Sequence, residues 1–289
     1  MRRRPIFRLN SRLLSRLAAW LRRDLRAAIS LAFLLALGLM ALCAPWIATH
    51  PVTAQDVDNT LASPSALHLL GTDDLGRDVF SRMVHGAAAT LYASGLAVTI
   101  AVTLGLPVGL LAGYLGGWVD DGISRFIDAL LSFPSIVLAI AVTGALGIGL
   151  TNGMIAVGIV FSPHLARLVR ARALVVRQEL YVDASRCFGA STARILWRHV
   201  LPNTVQPVIV QVTLLLAAAL LAEASLSFLG LGIQPPNPSW GSMLARAYQN
   251  MELAPAQMYA PGLAILFTAL AFNTLGESLR VALDPTNKR

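Results

Sequence analysis

Apolar and polar stretches alternate along almost the whole chain, and the apolar ones are long. Runs able to cross a bilayer as helices cover about residues 27–48, 90–115, 123–150, 153–169, 204–222 and 258–275, because a helix rising about 1.5 Å per residue needs about 20 apolar residues to span the hydrocarbon layer. The pattern predicts an all-α, polytopic membrane protein with about six transmembrane helices. It divides the chain into a basic lead (1–26), a first span (27–48), a polar segment (49–89), a core of five spans (90–285) and a short tail (286–289). Two polar segments, 170–203 and 223–257, interrupt the core. The lead carries Leu9, Leu13, Leu14, Leu17 and Leu21 at near-helical spacing and reads as an amphipathic helix on a lipid surface. The first span is too long for the apolar part of a cleaved signal peptide, and Leu42 before Cys43 is not the small residue of a lipoprotein signal. Within the second span Gly95, Gly105, Gly109 and Gly113, with Pro107 among them, allow close helix packing in lipid. Pro134 predicts a kink in the third span, Asp120 and Asp121 fall in a short loop before it, and Arg125 is placed to pair with Asp128.

The polar segments have patterns of their own. In 181–203, YVDASRCFGASTARILWRHVLPN, Asp183, Ala184 and Ser185 start a short helix and Gly189 ends it. Ser191 then caps a second helix, and Pro202 opens the next apolar run. The result is helix, sharp corner, helix. Arg194 and Arg198, four apart, share a face suited to acidic groups on a partner. Segment 49–85 is richer in Asp than in Arg; there Thr72 is placed to cap a short helix through Asp73 and Asp74, and Arg77 to pair with either acid. A solvated turn is the alternative. Segment 225–244 starts apolar and is then broken by Pro235, Pro236 and Pro238, so it packs as an irregular element against the membrane surface.

Charge changes the picture only once it is mapped onto the spans. The chain has 23 basic against 15 acidic residues, but twenty of the basic ones fall on one side of the six-span topology, and only Arg77, Arg82 and Arg246 on the other. The excess is topological: it places both termini and segment 170–203 in the cytoplasm, and no nucleic-acid partner is read from it. Cys43 and Cys187 fall on opposite faces and cannot bridge each other. Lys288 is the only lysine, so the chain has no phosphate-binding G-x-x-x-x-G-K loop and nucleotide chemistry belongs to a partner. His50, His68, His85, His164 and His199 are scattered without metal-ligand spacing and read as surface or interfacial residues; no metal is expected. No hydrolase or protease nucleophile motif is present. The middles of the spans read as free of Asp, Glu, Lys, Arg and His. That counts against a stand-alone secondary transporter or channel, the alternative class, since proton-driven carriers need titratable groups at that depth.

Three segments carry a resemblance to a known family. Asp183-Ala184-Ser185, Gly189 and Leu201-Pro202 resemble the EAA loop of bacterial ABC importer permeases, with Asp standing for Glu, Ser for the second Ala, and His199 for Ile. LLGTDDLGRDVFSRMVHGA and SLSFLGLGIQPPNPSWGSML resemble two signatures of the C-type permease subunit of dipeptide, oligopeptide and nickel importers. The resemblance implies the type I ABC importer permease fold and a location in the bacterial inner membrane. The implied solute is a di- or oligopeptide, a glutathione-like peptide, nickel or a metal chelate. The implied partners are a second, B-type permease subunit, two ATPase subunits that bind the ATP, and an extracytoplasmic solute-binding protein; the chain itself would hold no cofactor. Coupling to the ATPase would fall on Asp183, Ala184, Ser185, Gly189, Arg194, Arg198 and Pro202. Gating of the mouth or docking of the binding protein would fall on Asp73, Arg77, Asp78 and Trp240.

Overall fold

Across residues 24–283, which the computed structural model describes, every extended regular element is a helix. The leucines expected on one face of the lead and the tail 286–289 lie outside the described residues. Helix α1 (Leu25–Leu42) is capped by the Asp24 carboxylate, which accepts from the N–H groups of Arg26 and Ala27, and leads into the single turn α2 (Ala44–Ile47). There follow α3 (Val79–Leu115), α4 (Gly117–Leu131), α5 (Ser135–Leu146), α6 (Leu150–Arg177), α7 (Leu180–Cys187), α8 (Thr192–Ile195), a π-helical turn (Leu196–Val200), α9 (Leu201–Phe228), α10 (Trp240–Gln249) and α11 (Tyr259–Leu283). Among the described residues five helical stretches are long and apolar enough to cross a membrane, or six if α4 and α5 together count as one.

That pair departs from the expected third span. A kink was predicted at Pro134, but the two helix axes meet at 93°. Pro134 has no N–H to continue the helical ladder and holds an extended backbone (φ −56°, ψ 126°), so α4 stops at Ser132 and α5 starts afresh. Asp120 and Asp121 accordingly lie in α4 and not in a loop. Asp120 accepts from Arg170 Nη2 at 2.8 Å, and Asp128 pairs with Arg167 and not with Arg125, because α6 runs alongside and presents its arginines to the charged face of α4.

The centre of the bundle is a seam between α3 and α6. A Cβ on Gly105 would lie 2.6 Å from the Ser162 carbonyl oxygen, one on Gly113 2.6 Å from that of Arg170, and one on Gly109 against that of Ala166. From the other side, a Cβ on Gly158 would lie 2.7 Å from the Ala97 carbonyl. Glycine every fourth residue keeps one face of α3 free of side chains, and the backbone of α6 occupies it. Gly95 has open space around it and takes no part in the seam. Met154, Val157, Leu165 and Val169 of α6 pack beside the seam with Ala97 and Ala101 of α3 and Leu215 of α9. A second cluster joins α1, α9 and α11 through Leu37, Leu220 and Ile265.

The spans are also less free of ionisable groups than the sequence reading had it. The fifth was expected to end at residue 222, but α9 runs on to Phe228, and Glu223 sits inside it, 1% exposed, accepting from the Ser227 hydroxyl at 2.7 Å. His164 lies midway along α6. A hydropathy run ends at the first charge, whereas a helix continues through a charge whose oxygen finds a donor one turn away.

The seam makes a direct prediction. Gly109→Val should destabilise the protein by about 3 kcal/mol or more, the upper end of overpacking costs, because the obstacle is backbone. Gly95→Val should stay within about 1 kcal/mol of the parent. Melting of the detergent-solubilised protein measures both, and equal melting of the two variants would rule out the seam.

Candidate functional site

Two polar assemblies lie at the two ends of α3. At the far end of α3, α7 and α8 meet at a corner where Gly189 holds φ +75°, a left-handed conformation that costs a residue with a Cβ about 1 kcal/mol. The Gly189 N–H bonds the Arg186 carbonyl at 2.9 Å and the Ala190 N–H bonds that of Ser185 at 3.0 Å, the paired bonds of a Schellman stop. Ser191 then caps α8, its hydroxyl accepting from the Arg194 N–H. Behind the corner Val182, Ile195 and Val200 are buried against Tyr114, Ala173 and Val176 at the ends of α3 and α6. Arg186 lies over the Tyr114 ring at 5.2 Å and pairs with Asp183 at 3.1 Å. The Tyr114 hydroxyl, and then the Asp183 charge, hold the Arg186 guanidinium above its ordinary pKa against the opposing effect of burial.

His199, where the family pattern has Ile, stitches the corner shut. Its ring stands 5.8 Å from that of Tyr181 and its Nε2 lies 3.2 Å from the Ser185 hydroxyl. Asn203 donates to the His199 carbonyl at 2.7 Å and to the Tyr181 hydroxyl at 3.2 Å. Pro202 sits in the first turn of α9, where its missing N–H costs nothing. Asp183, Ala184, Arg194 and Arg198 face outward, and among the described residues neither Arg194 nor Arg198 meets a carboxylate. The sequence reading missed three companions: Leu180, Phe188 and Trp197 are 85%, 89% and 72% exposed. Their signal was present as large apolar residues within a polar segment. They leave an apolar surface uncovered around the braced corner.

At the opposite end α3 emerges from segment 49–78. No helix forms at Thr72; the chain turns instead, through Gly71 (φ +77°) and Gly76 (φ +69°), conformations that a right-handed helix excludes. Thr72 is buried, its hydroxyl accepting from the Ala62 N–H at 2.9 Å and donating to the Asn59 carbonyl. The helix cap is Asp78, which accepts from the Ser81 N–H at 2.7 Å. Arg77 Nε donates to Asp73 at 2.7 Å, as expected, and Arg246 Nη1 to Asp74 at 3.0 Å. Arg82 lies 3.5 Å from Asp73 and donates to the carbonyls of Val52 at 2.9 Å and Pro236 at 3.2 Å. Arg82 and Arg246 thus tie segment 49–78 to the proline-rich loop and to α10, while Arg77 bonds within the segment. A cavity of about 260 Å³ lies against the network, lined in part by Arg82, Ser227, Gln234, Asn237 and Arg246.

Trp240 is 1% exposed, its indole N–H donating to the Met83 carbonyl at 3.0 Å and its backbone N–H to Thr90 Oγ1 at 3.3 Å. Asp73, Arg77 and Asp78 are buried as well. The four side chains expected to gate the mouth or dock a partner are all turned inward, each bonded within the chain. A further correction concerns the histidines. Folding brings His68 Nδ1 to 2.9 Å and His50 Nδ1 to 3.9 Å from the Asp78 carboxylate. Burial works to raise the Asp78 carboxyl, but the Ser81 N–H and hydroxyl and the two histidines outweigh it and hold the group below the usual carboxylate range.

Comparison with known proteins agrees with this architecture. Residues 105–289 match the family model described as the binding-protein-dependent transport system inner membrane component, and residues 17–64 match that of the N-terminal transmembrane domain of oligopeptide transport permease C. The chain is 48% identical over 268 residues to the glutathione transport system permease protein GsiD of Shigella flexneri, covering 92% of this chain and 88% of the relative. It is 46% identical over the same length and coverage to GsiD of Escherichia coli strain 536. Among solved structures, one described as an inward-facing conformation of the MetNI methionine ABC transporter superposes with a TM-score of 0.59 at 20% identity, covering 71% of this chain and 97% of that one.

Because Trp240 is a packing anchor, Trp240→Ala should cost about 3–5 kcal/mol and sharply lower abundance in the membrane. Tyr248→Ala, on the half-exposed face of the same helix, should leave abundance unchanged. Quantitative blotting of membrane fractions distinguishes the two, and a parental level of Trp240→Ala would show that the indole packs nothing essential.

Proposed function

The chain belongs to the binding-protein-dependent transport system inner membrane component family, and from that premise we propose that it is the permease subunit of an ATP-driven importer of peptide-like solutes. It has the permease fold of ABC importers. The solute class is read from the relatives named for glutathione transport, a peptide-like molecule; nothing in those names points to nickel or a metal chelate. The observation that carries the mechanism is the braced Gly189 corner. It presents Phe188, Trp197, Arg194 and Arg198 on a scaffold held to the ends of α3 and α6, which suits docking into a separate ATPase subunit. ATP-driven closure of two such subunits would move the corner, and α3 and α6 would carry the movement to the mouth. Two halves, this chain and a second permease subunit, would then rock about the translocation path, with solute delivered by an extracytoplasmic binding protein. The chain would perform no covalent chemistry and bind no cofactor. A stand-alone carrier remains the second reading, since Glu223 and His164 supply ionisable groups within helices.

The distribution of arginines supports a cytoplasmic Gly189 corner and an Asp78 assembly on the outer side. In a Cys43→Ser background, exposed Cys187 should react with a membrane-impermeant maleimide only in inside-out vesicles. Reaction in intact, outer-membrane-permeabilised cells would overturn this orientation.

At the corner, no atom of the described residues beyond Gly189 and its two chain neighbours lies within 4 Å of a Cβ added to Gly189. Gly189→Ala therefore suffers only backbone strain of about 1 kcal/mol and should weaken coupling moderately. Gly189→Arg, projecting into the proposed ATPase groove, should abolish uptake and co-purification of the ATPase while the protein stays abundant. Retention of both activities by Gly189→Arg would defeat the docking reading, and uptake driven by a proton gradient with the ATPase genes deleted would favour the stand-alone carrier.

A further inference from the structure

Segment 49–78 carries two histidines separated by seventeen positions, and the turn through Gly71 and Gly76 folds one of them onto the cap of α3. His50, His68 and Asp78 each present one nitrogen or oxygen atom, and the three atoms lie within 4.8 Å of one another. The His50 and His68 ring centroids are 4.7 Å apart, with the rings tilted by 32°. His68 Nδ1 meets Asp78 Oδ1 at 2.9 Å, and His50 Nδ1 faces the other oxygen at 3.9 Å. The Asp78 and His68 side chains are buried and that of His50 is partly open.

We infer that His50, His68 and Asp78 form a binding site for one divalent first-row transition ion of the Zn²⁺ class. Two imidazoles and a carboxylate are the donor set that prefers such ions over Mg²⁺ and Ca²⁺, which take all-oxygen shells. With bonds of about 2.0–2.1 Å, tetrahedral ligands stand roughly 3.3 Å apart, so the three side chains must close by about an ångström. His50 supplies that movement, as the least buried of them. Its open side leaves the fourth position to water. The site is supported from outside its own donors: the Ser81 N–H holds Asp78 Oδ2 at 2.7 Å, and the His50 N–H donates to the Ser81 hydroxyl at 3.0 Å, fixing the backbone of one ligand beside the cap that holds another. Such outer hydrogen bonds orient metal ligands. An ion there joins the segment after α2, the loop before α3 and the N-cap of α3 into one unit. The inference rests on these three side chains and not on the transport reading.

The test uses the full-length chain in detergent, purified through a tag without histidine and stripped with chelator. Titration with Zn²⁺ against a competing indicator should show one tight site per chain. X-ray absorption at the zinc edge should show imidazole scattering from two histidines and no sulfur. His50→Ala, the variant least able to disturb folding, should weaken binding by more than about a hundredfold, since loss of even outer-shell partners costs about 10–100-fold. It should also remove one imidazole from the spectrum. His50→Ala combined with His68→Gln should abolish stoichiometric binding, whereas His164→Ala and His199→Ala should bind as the parent does. Substoichiometric binding by the parent, unchanged affinity in the double variant, or sulfur in the first shell from Cys43 or Cys187 would each overturn the assignment.

Discussion

The rest of the structure hangs on the backbone-to-backbone contact of α3 with α6. In lipid, apolar surface gains little from leaving one apolar medium for another, so helices associate through tight packing. Glycine every fourth residue on α3 lets two backbones touch along several turns. That contact sets the direction of both helices and therefore the position of what each carries at its ends. One end of α3 carries the Asp78 cap, and the other carries Tyr114. The seam thus joins the two polar assemblies through a packed, stiff pair of rods.

The two assemblies solve opposite problems. At the Asp78 end, buried charges are matched so closely that Asp73 serves Arg77 and Arg82, while Asp74 serves Arg246. Removing one partner from such a network leaves the other buried and unpaired, which is costly. The network therefore specifies a shape, and its side chains are not free to meet anything else. At the Gly189 end the polar groups brace the corner from behind, through His199, Ser185, Tyr181 and Asn203, and leave apolar and cationic side chains uncovered.

Much of this was legible in advance because it depends on neighbours in sequence. Segment 181–203 announced its corner through Ser191 and Gly189, since capping and left-handed turns are local geometry. The pairing of Arg77 with Asp73 followed for the same reason. What failed were judgements that needed the third dimension. Asp128 turned from Arg125 to Arg167 because α6 passes beside it. Thr72 gave up the expected cap to the loop it closes, and Trp240, which looks like a docking side chain in a polar segment, is covered by α3.

Alternation of apolar and polar runs settled an all-helical membrane protein, because backbone groups in lipid must bond within their own helix and a span therefore has a fixed minimum length. The short motifs settled the family, because they are contiguous. The tertiary structure alone decided which glycines form the seam, that α4 and α5 meet at a right angle, and that Glu223 is enclosed within α9. It also brought His50, His68 and Asp78 together. The reason is the same in each case: a side chain's surroundings come from elements distant in sequence, and their approach is set by how closely two helix backbones can pack.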